Sequence, residues 1–215
     1  MLSKRTQMKI LKNRFDKELI ATLPKVSFEG RIVTVISEAE ADRAVDYLMS
    51  QTCLGFDTET KPSFKKGKGM NNVALLQVSS DDTCFLFRLN RIGLTNSLVR
   101  LLSDNTITKV GLSWNDDLRQ LLRLRDFSAG TFIELQNYAK EIGIDDMSLQ
   151  KLYANVFGEK ISKSQRLSNW ESSSLSESQQ VYAAIDAWAC VRLYKELTRI
   201  KESGDYVIDW GDEEE

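Results

Sequence analysis

The chain has 215 residues, 42% hydrophobic and 28% charged, enough for one well-buried core and too few to require two domains. Its apolar runs are short, as in Val73-Ala74-Leu75-Leu76, so the sequence predicts no membrane span and no signal-peptide core, and the expectation is a soluble, cytoplasmic protein. Histidine is absent and the three cysteines (Cys53, Cys84, Cys190) stand far apart, which excludes Ser-His and Cys-His nucleophiles and argues against zinc and disulfides.

Charge is unevenly spread. Residues 202–215 carry seven acids and no base, leaving 29 bases against 24 acids over residues 1–201. Residues 1–25 hold seven bases and two acids. A basic arm, residues 1–29, therefore precedes the body of the chain, and an acidic tail, residues 201–215, follows it. Both ends could be solvated, or they could pair with each other.

In chain order, Met8, Leu11, Phe15 and Leu19 recur at helical spacing and predict an amphipathic helix over residues 6–20, docked by its apolar stripe. Residues 31–36 read as a strand. Ser37 and Glu40 then make a capping box for a helix through Met49. Segments 54–59, 73–79 and 83–89 read as strands, the last two a hairpin turning at Asp81-Asp82. A helix bearing Leu98, Leu101 and Leu102 follows. Strand 107–112 leads into helix 115–124, and strand 131–135 into helix 136–142. Segments 147–157 and 177–200 read as helices joined by a Ser-rich loop. This order predicts a mixed β-sheet flanked by α-helices, an α/β fold, over residues 30–200.

Three stations of acids stand out. Asp57 and Glu59 lie two apart on a strand and so share a face. Two neighbouring carboxylates repel, and a divalent cation between them removes that cost; an exposed edge strand with solvated acids is the plainer alternative. Asp116 and Asp117 open a helix at the end of a strand, where ligands gather in α/β sheets but where acids also suit the helix dipole. Tyr182 and Asp186, one helical turn apart, flank the apolar stripe of Val181, Ile185, Trp188 and Ala189. Small Ala183, Ala184 and Ala187 would let that helix approach a sheet closely.

Taken together, Phe56-Asp57-Thr58-Glu59, then Val110-Gly111 with Asn115-Asp116-Asp117 and Leu121-Leu122, then Tyr182-Ala183-Ala184-x-Asp186-Ala187 resemble the three motifs of the DEDD exonuclease superfamily. The likeness is to its Tyr branch, which includes ribonuclease D and the Werner-syndrome exonuclease domain. Asn72-x-x-x-Leu76-Gln77, Phe132-x-Glu134-Leu135 and Lys163-Ser164-x-Arg166-Leu167-Ser168-Asn169-Trp170 agree with it. The resemblance implies a ribonuclease H-like fold and a 3′-5′ exonuclease acting on DNA or RNA by a two-metal-ion mechanism that releases nucleoside 5′-monophosphates. It implies Asp57, Glu59, Asp117 and Asp186 as ligands of two divalent ions, Mg2+ or Mn2+, and Tyr182 as the residue that orients the attacking water. Asp117 is preferred over Asp116 because it keeps the family's spacing. Lys65, Lys66, Lys68, Lys163 and Arg166 are the candidate phosphate contacts.

Thr60 departs from the aromatic or apolar residue of many relatives. Two rival readings remain. Strand-Asp-x-x-Thr also resembles the opening of haloacid-dehalogenase phosphatases, but these carry a second Asp where Glu59 stands and give Tyr182 and Asp186 no role. The other alternative is a non-catalytic nucleic-acid-binding relative of the same fold.

Overall fold

The computed structural model describes residues 8–63 and 71–211. Its elements in order are β1 (Lys9–Lys12), α1 (Lys17–Ile20), β2 (Arg31–Val35), α2 (Glu38–Leu48), β3 (Cys53–Thr60), β4 (Val73–Ser79), β5 (Thr83–Phe87) and α3 (Leu89–Ile92). Then come α4 (Asn96–Ser103), β6 (Thr108–Gly111), α5 (Trp114–Leu124), β7 (Phe132–Glu134), α6 (Leu135–Lys140), α7 (Leu149–Phe157), α8 (Glu177–Ser203) and β8 (Tyr206–Asp209).

Six strands form one mixed sheet in the order β2-β5-β4-β3-β6-β7. The β3-β4 and β4-β5 pairs are antiparallel, whereas β2-β5, β3-β6 and β6-β7 are parallel. This is the expected mixed sheet flanked by helices. One apolar cluster gathers α2, α4 and α5 with Phe56, Leu76, Val78, Phe85 and Phe87. Clusters on the other side of the sheet hold α8, through Ala183, Ala184, Ala187, Ala189 and Leu193.

Local signals explain the helix starts. Ser37 and Glu40 form the expected capping box of α2, and Ser176 with Gln179 forms another at α8. Gly204 ends α8 at φ +68°, a left-handed cap that glycine adopts without Cβ strain.

Over its described residues, 8–20, the helix expected over residues 6–20 is not formed. Its middle is β1, and only the single turn α1 is helical. Leu11 is fully buried, but Met8 and Leu19 are exposed, so the periodicity does not trace one apolar face. The competing principle is tertiary: β1 pairs in parallel with β8, Lys9 opposite Tyr206 through Lys12 opposite Asp209. On the other side of β1, the Asn155 amide accepts from the Lys12 N–H at 2.9 Å and donates to the Lys12 carbonyl at 2.6 Å. It thereby supplies the hydrogen bonds of a missing strand. The acidic segment after α8 is likewise partly a strand, and its Asp209 carboxylate lies 3.7 Å from Lys12 Nζ.

Because Leu11, Tyr206 and Ile208 join the cluster under α8, the paired ends belong to the core. Leu11→Ala is expected to cost about 2–5 kcal/mol, as for other buried leucines, read as a lower urea midpoint. A solvated arm would give no change.

Candidate active site

β3 lies between β4 and β6, at the centre of the sheet. A Cβ on Gly55 would sit 2.0 Å from the Ala187 carbonyl oxygen and 2.9 Å from Val191 Cγ2, so Gly55 faces α8 and lets the helix backbone close onto the strand. By alternation, Asp57 and Glu59 face α8 as well. Asp186, one residue before Ala187, is buried there. Carboxylate oxygens of Asp57, Glu59 and Asp186 lie within 4.8 Å of one another.

Asp117 reaches the site from elsewhere. The β3-β6 pairing ends at Gly55 opposite Val110, so the second half of β3 runs on past the end of β6. Ser113 turns the chain there with φ 60°, and α5 begins. Thr58, on the opposite face of β3 from Asp57, donates its hydroxyl to Asp117. Asp117 is therefore next to the acid cluster but outside the three-carboxylate set. Asp116 points to solvent and pairs with Arg119 at 2.8 Å, its side chain 76% exposed.

Tyr182 lines a solvent-open cleft of about 540 Å3 together with Asp57, Asp186, Lys163 and Cys190. Its ring packs against buried Trp170, with centroids 6.0 Å apart. Arg166 lies close enough for its charge to favour ionised Glu59. Lys65, Lys66 and Lys68 fall outside the described residues.

The electrostatics are those of crowded, half-dry acids. Burial, then the charges of Asp186, Asp117 and Glu59, push the Asp57 carboxyl well above its usual range. Burial and the charges of Asp186 and Asp117 push Glu59 to about 9. Burial raises Asp186 to about 7, opposed by the Tyr182 hydroxyl and Lys163. Asp117 stands at about 6, raised by burial and lowered by Thr58. The same burial and acids raise Tyr182, which stays a phenol across the physiological range.

These residues fit hard divalent cations. The converging donors are carboxylate oxygens with no imidazole, and Cys190 in the same cleft is held as a thiol, chiefly by burial. Opposite Asp57 on β4 stands Gln77, fully buried, with neither amide atom hydrogen-bonded among the described residues. It gives the acid site a polar neighbour.

Some roles had no sequence signal. Glu134 accepts from the Ser113 and Trp114 N–H groups, both at 2.8 Å, and so caps α5 in place of Ser113, whose own side chain makes no cap. The string Phe132-x-Glu134-Leu135 marked this residue but not its task. Thr58 appeared only as the spacer between two acids.

A family model described as 3′-5′ exonuclease matches residues 32–202. A mouse protein, bifunctional 3′-5′ exonuclease/ATP-dependent helicase WRN, is 31% identical over 191 residues, 84% of this chain and 14% of that protein. An Arabidopsis thaliana 3′-5′ exonuclease is 30% identical, covering 84% of this chain and 68% of the relative. This chain thus spans only a small part of the mouse protein. Among solved structures, the Aedes aegypti Nibbler EXO domain superposes with a TM-score of 0.75 at 19% identity, over 83% of this chain and 94% of that one. Escherichia coli RNase D, an exoribonuclease, gives 0.70 at 19%, over 81% and 46%. The fold they share with this chain is ribonuclease H-like.

The raised carboxyls fix the pH response. The folded protein holds protons that the unfolded chain has released, so stability contributed below about pH 4 is lost as pH rises through about 6 to 9. Without divalent ions, the melting temperature is expected to fall by about 4 °C or more between mildly acidic pH and about pH 9, the response of a chain this size to about 1–2 kcal/mol. Asp57→Asn should flatten that slope. A melting temperature independent of pH would show that the acids do not crowd.

Proposed function

The chain belongs to the DEDD 3′-5′ exonuclease family, and from that premise we propose that it hydrolyses nucleic-acid phosphodiester bonds one nucleotide at a time from the 3′ end. The carrying observation is that carboxylates from two distant stretches of chain share one pocket with Tyr182 at its wall. Asp57, Glu59 and Asp186 would hold divalent cations, with Asp117 completing the set. Two such cations, Mg2+ or Mn2+, would supply Lewis-acid stabilisation of the attacking and leaving oxygens.

The remaining work falls to side chains. Tyr182, kept protonated by burial and its acidic neighbours, orients the attacking water by hydrogen bonding rather than by taking its proton. Water oxygen bonds to phosphorus, the bond to the 3′ oxygen breaks, and that oxygen leaves with a proton. The products are a nucleoside 5′-monophosphate and a strand one residue shorter with a new 3′ hydroxyl. Lys163 at the cleft and Arg166 beside Glu59 contact the phosphate backbone without reading sequence. Three free thiols, two of them buried, suit a reducing compartment such as the cytoplasm.

Matched 3′-labelled and 5′-labelled DNA and RNA oligonucleotides, incubated with Mg2+ or Mn2+, test this reading. Mononucleotides should be released from the 3′ end, and EDTA should stop the reaction. Asp57→Ala should reduce the rate about 1,000-fold or more, and Tyr182→Phe about 100-fold. A folded, cation-binding protein that leaves every oligonucleotide uncut would establish the non-catalytic alternative instead.

A further inference from the structure

The N-terminal segment is stitched along one flank of the site. Asn13 donates its side-chain amide to the Gly143 carbonyl at 2.8 Å and accepts from the Asp145 N–H at 2.8 Å, and the Phe15 N–H donates to Asp146. Further on, Lys160 N–H donates to the Pro24 carbonyl at 2.8 Å, and Val26 N–H donates to the Lys160 carbonyl at 3.1 Å. Lys160 Nζ also reaches the Ala21 carbonyl, at the end of α1. The single turn α1 is held between these anchors, against α7. Ser148 just before α7, Gln150 in its first turn, and Ile161 and Lys163 after it line the cleft that contains Asp57 and Asp186.

Charge pairing separates the cations of this segment. Lys9 pairs with Glu196 at 2.6 Å, Lys12 with Asp209 at 3.7 Å and Arg14 with Asp145 at 2.8 Å. Lys17 is exposed and, among the described residues, has no acid within ion-pair distance; the same holds for Lys163 and Arg166. Instead, Lys17 lies near enough to Lys163 that its charge, after burial and Arg166, depresses the Lys163 ammonium. Three like charges gathered beside an acidic pocket repel one another in the free protein. A polyanion laid across them relieves that repulsion and gains counterion release.

We propose that Lys17, brought to the rim of the cleft by the anchored N-terminal segment, grips the phosphodiester backbone of the substrate strand together with Lys163. Lys17 lies outside residues 32–202, where the family model matches, and the clamp rests on the exonuclease reading above for the identity of its ligand. Contacts of this type read neither base nor sugar, so the clamp serves DNA and RNA alike.

The test uses the full chain with Lys17→Ala, Lys17→Glu and Lys17→Arg, and Arg43→Ala on α2 as a charge-matched control remote from the site. Binding of labelled single-stranded DNA and RNA oligonucleotides is followed by anisotropy with Ca2+, and turnover is followed with Mg2+ or Mn2+. Lys17→Ala should weaken binding about 3- to 5-fold, and Lys17→Glu more, equally for both sugars. The slope of log Kd against log salt should fall by about 0.7. The loss in turnover should fall on KM rather than kcat. Lys17→Arg should restore binding, and Arg43→Ala should match wild type, with melting temperatures unchanged throughout.

Wild-type affinity and salt slope in Lys17→Glu would overturn the clamp, as would a loss that Arg43→Ala reproduces. If the wild-type protein binds strands but never cuts them, the hydrolytic reading falls while the clamp stands. If it binds no strand, both fall.

Discussion

The Ala187 carbonyl of α8 lies so close to Gly55 of β3 that a methyl group on Gly55 would sit 2.0 Å from the oxygen. That contact sets the height of α8 above the sheet, and with it the position of Asp186 above Asp57 and Glu59. A helix packed on larger side chains would stand farther from the strand. The small residues Ala183, Ala184 and Ala187, all fully buried, carry the same close contact along the helix. Packing at this contact is therefore what brings the acids within reach of one another.

Crowding those acids has a cost, and the fold is arranged to tolerate it. Asp57 and Glu59 are raised first by burial and then by neighbouring acids, whereas Asp186 is raised by burial, against which the Tyr182 hydroxyl and Lys163 work. Around the cluster, hydrogen bonds hold the supporting elements: Glu134 holds the start of α5, and Thr58 holds Asp117. Such strain without a ligand is common where function requires like charges together. The Gln77 amide, unpartnered among the described residues, belongs to the same pattern.

Much of this was legible from local rules. Period-two alternation put Asp57 and Glu59 on one face, the i, i+4 spacing put Tyr182 above Asp186, and Ser37 with Glu40 marked the start of α2. Identifying Asp117 as the inward acid needed the motif, because its contact with Thr58 depends on β6 ending where β3 continues. The N-terminal segment misled because its spacing fits a helix while its hydrogen-bond partners lie at the other end of the chain. No window of a dozen residues contains that information. Glu134 fails for a related reason: a cap supplied from β7 to α5 is invisible until both elements are placed.

The parallel pairing of β1 with β8 joins segments almost the whole length of the chain apart. Closing so long a loop is entropically demanding, and such contacts tend to form late. During synthesis β1 must wait without its strand partner until β8 has left the ribosome. α8, which carries Asp186, ends just before β8 begins, so the acid pocket and the paired strands β1 and β8 are completed at nearly the same stage, after the bonds that tie the N-terminal segment to the residues flanking α7 can form.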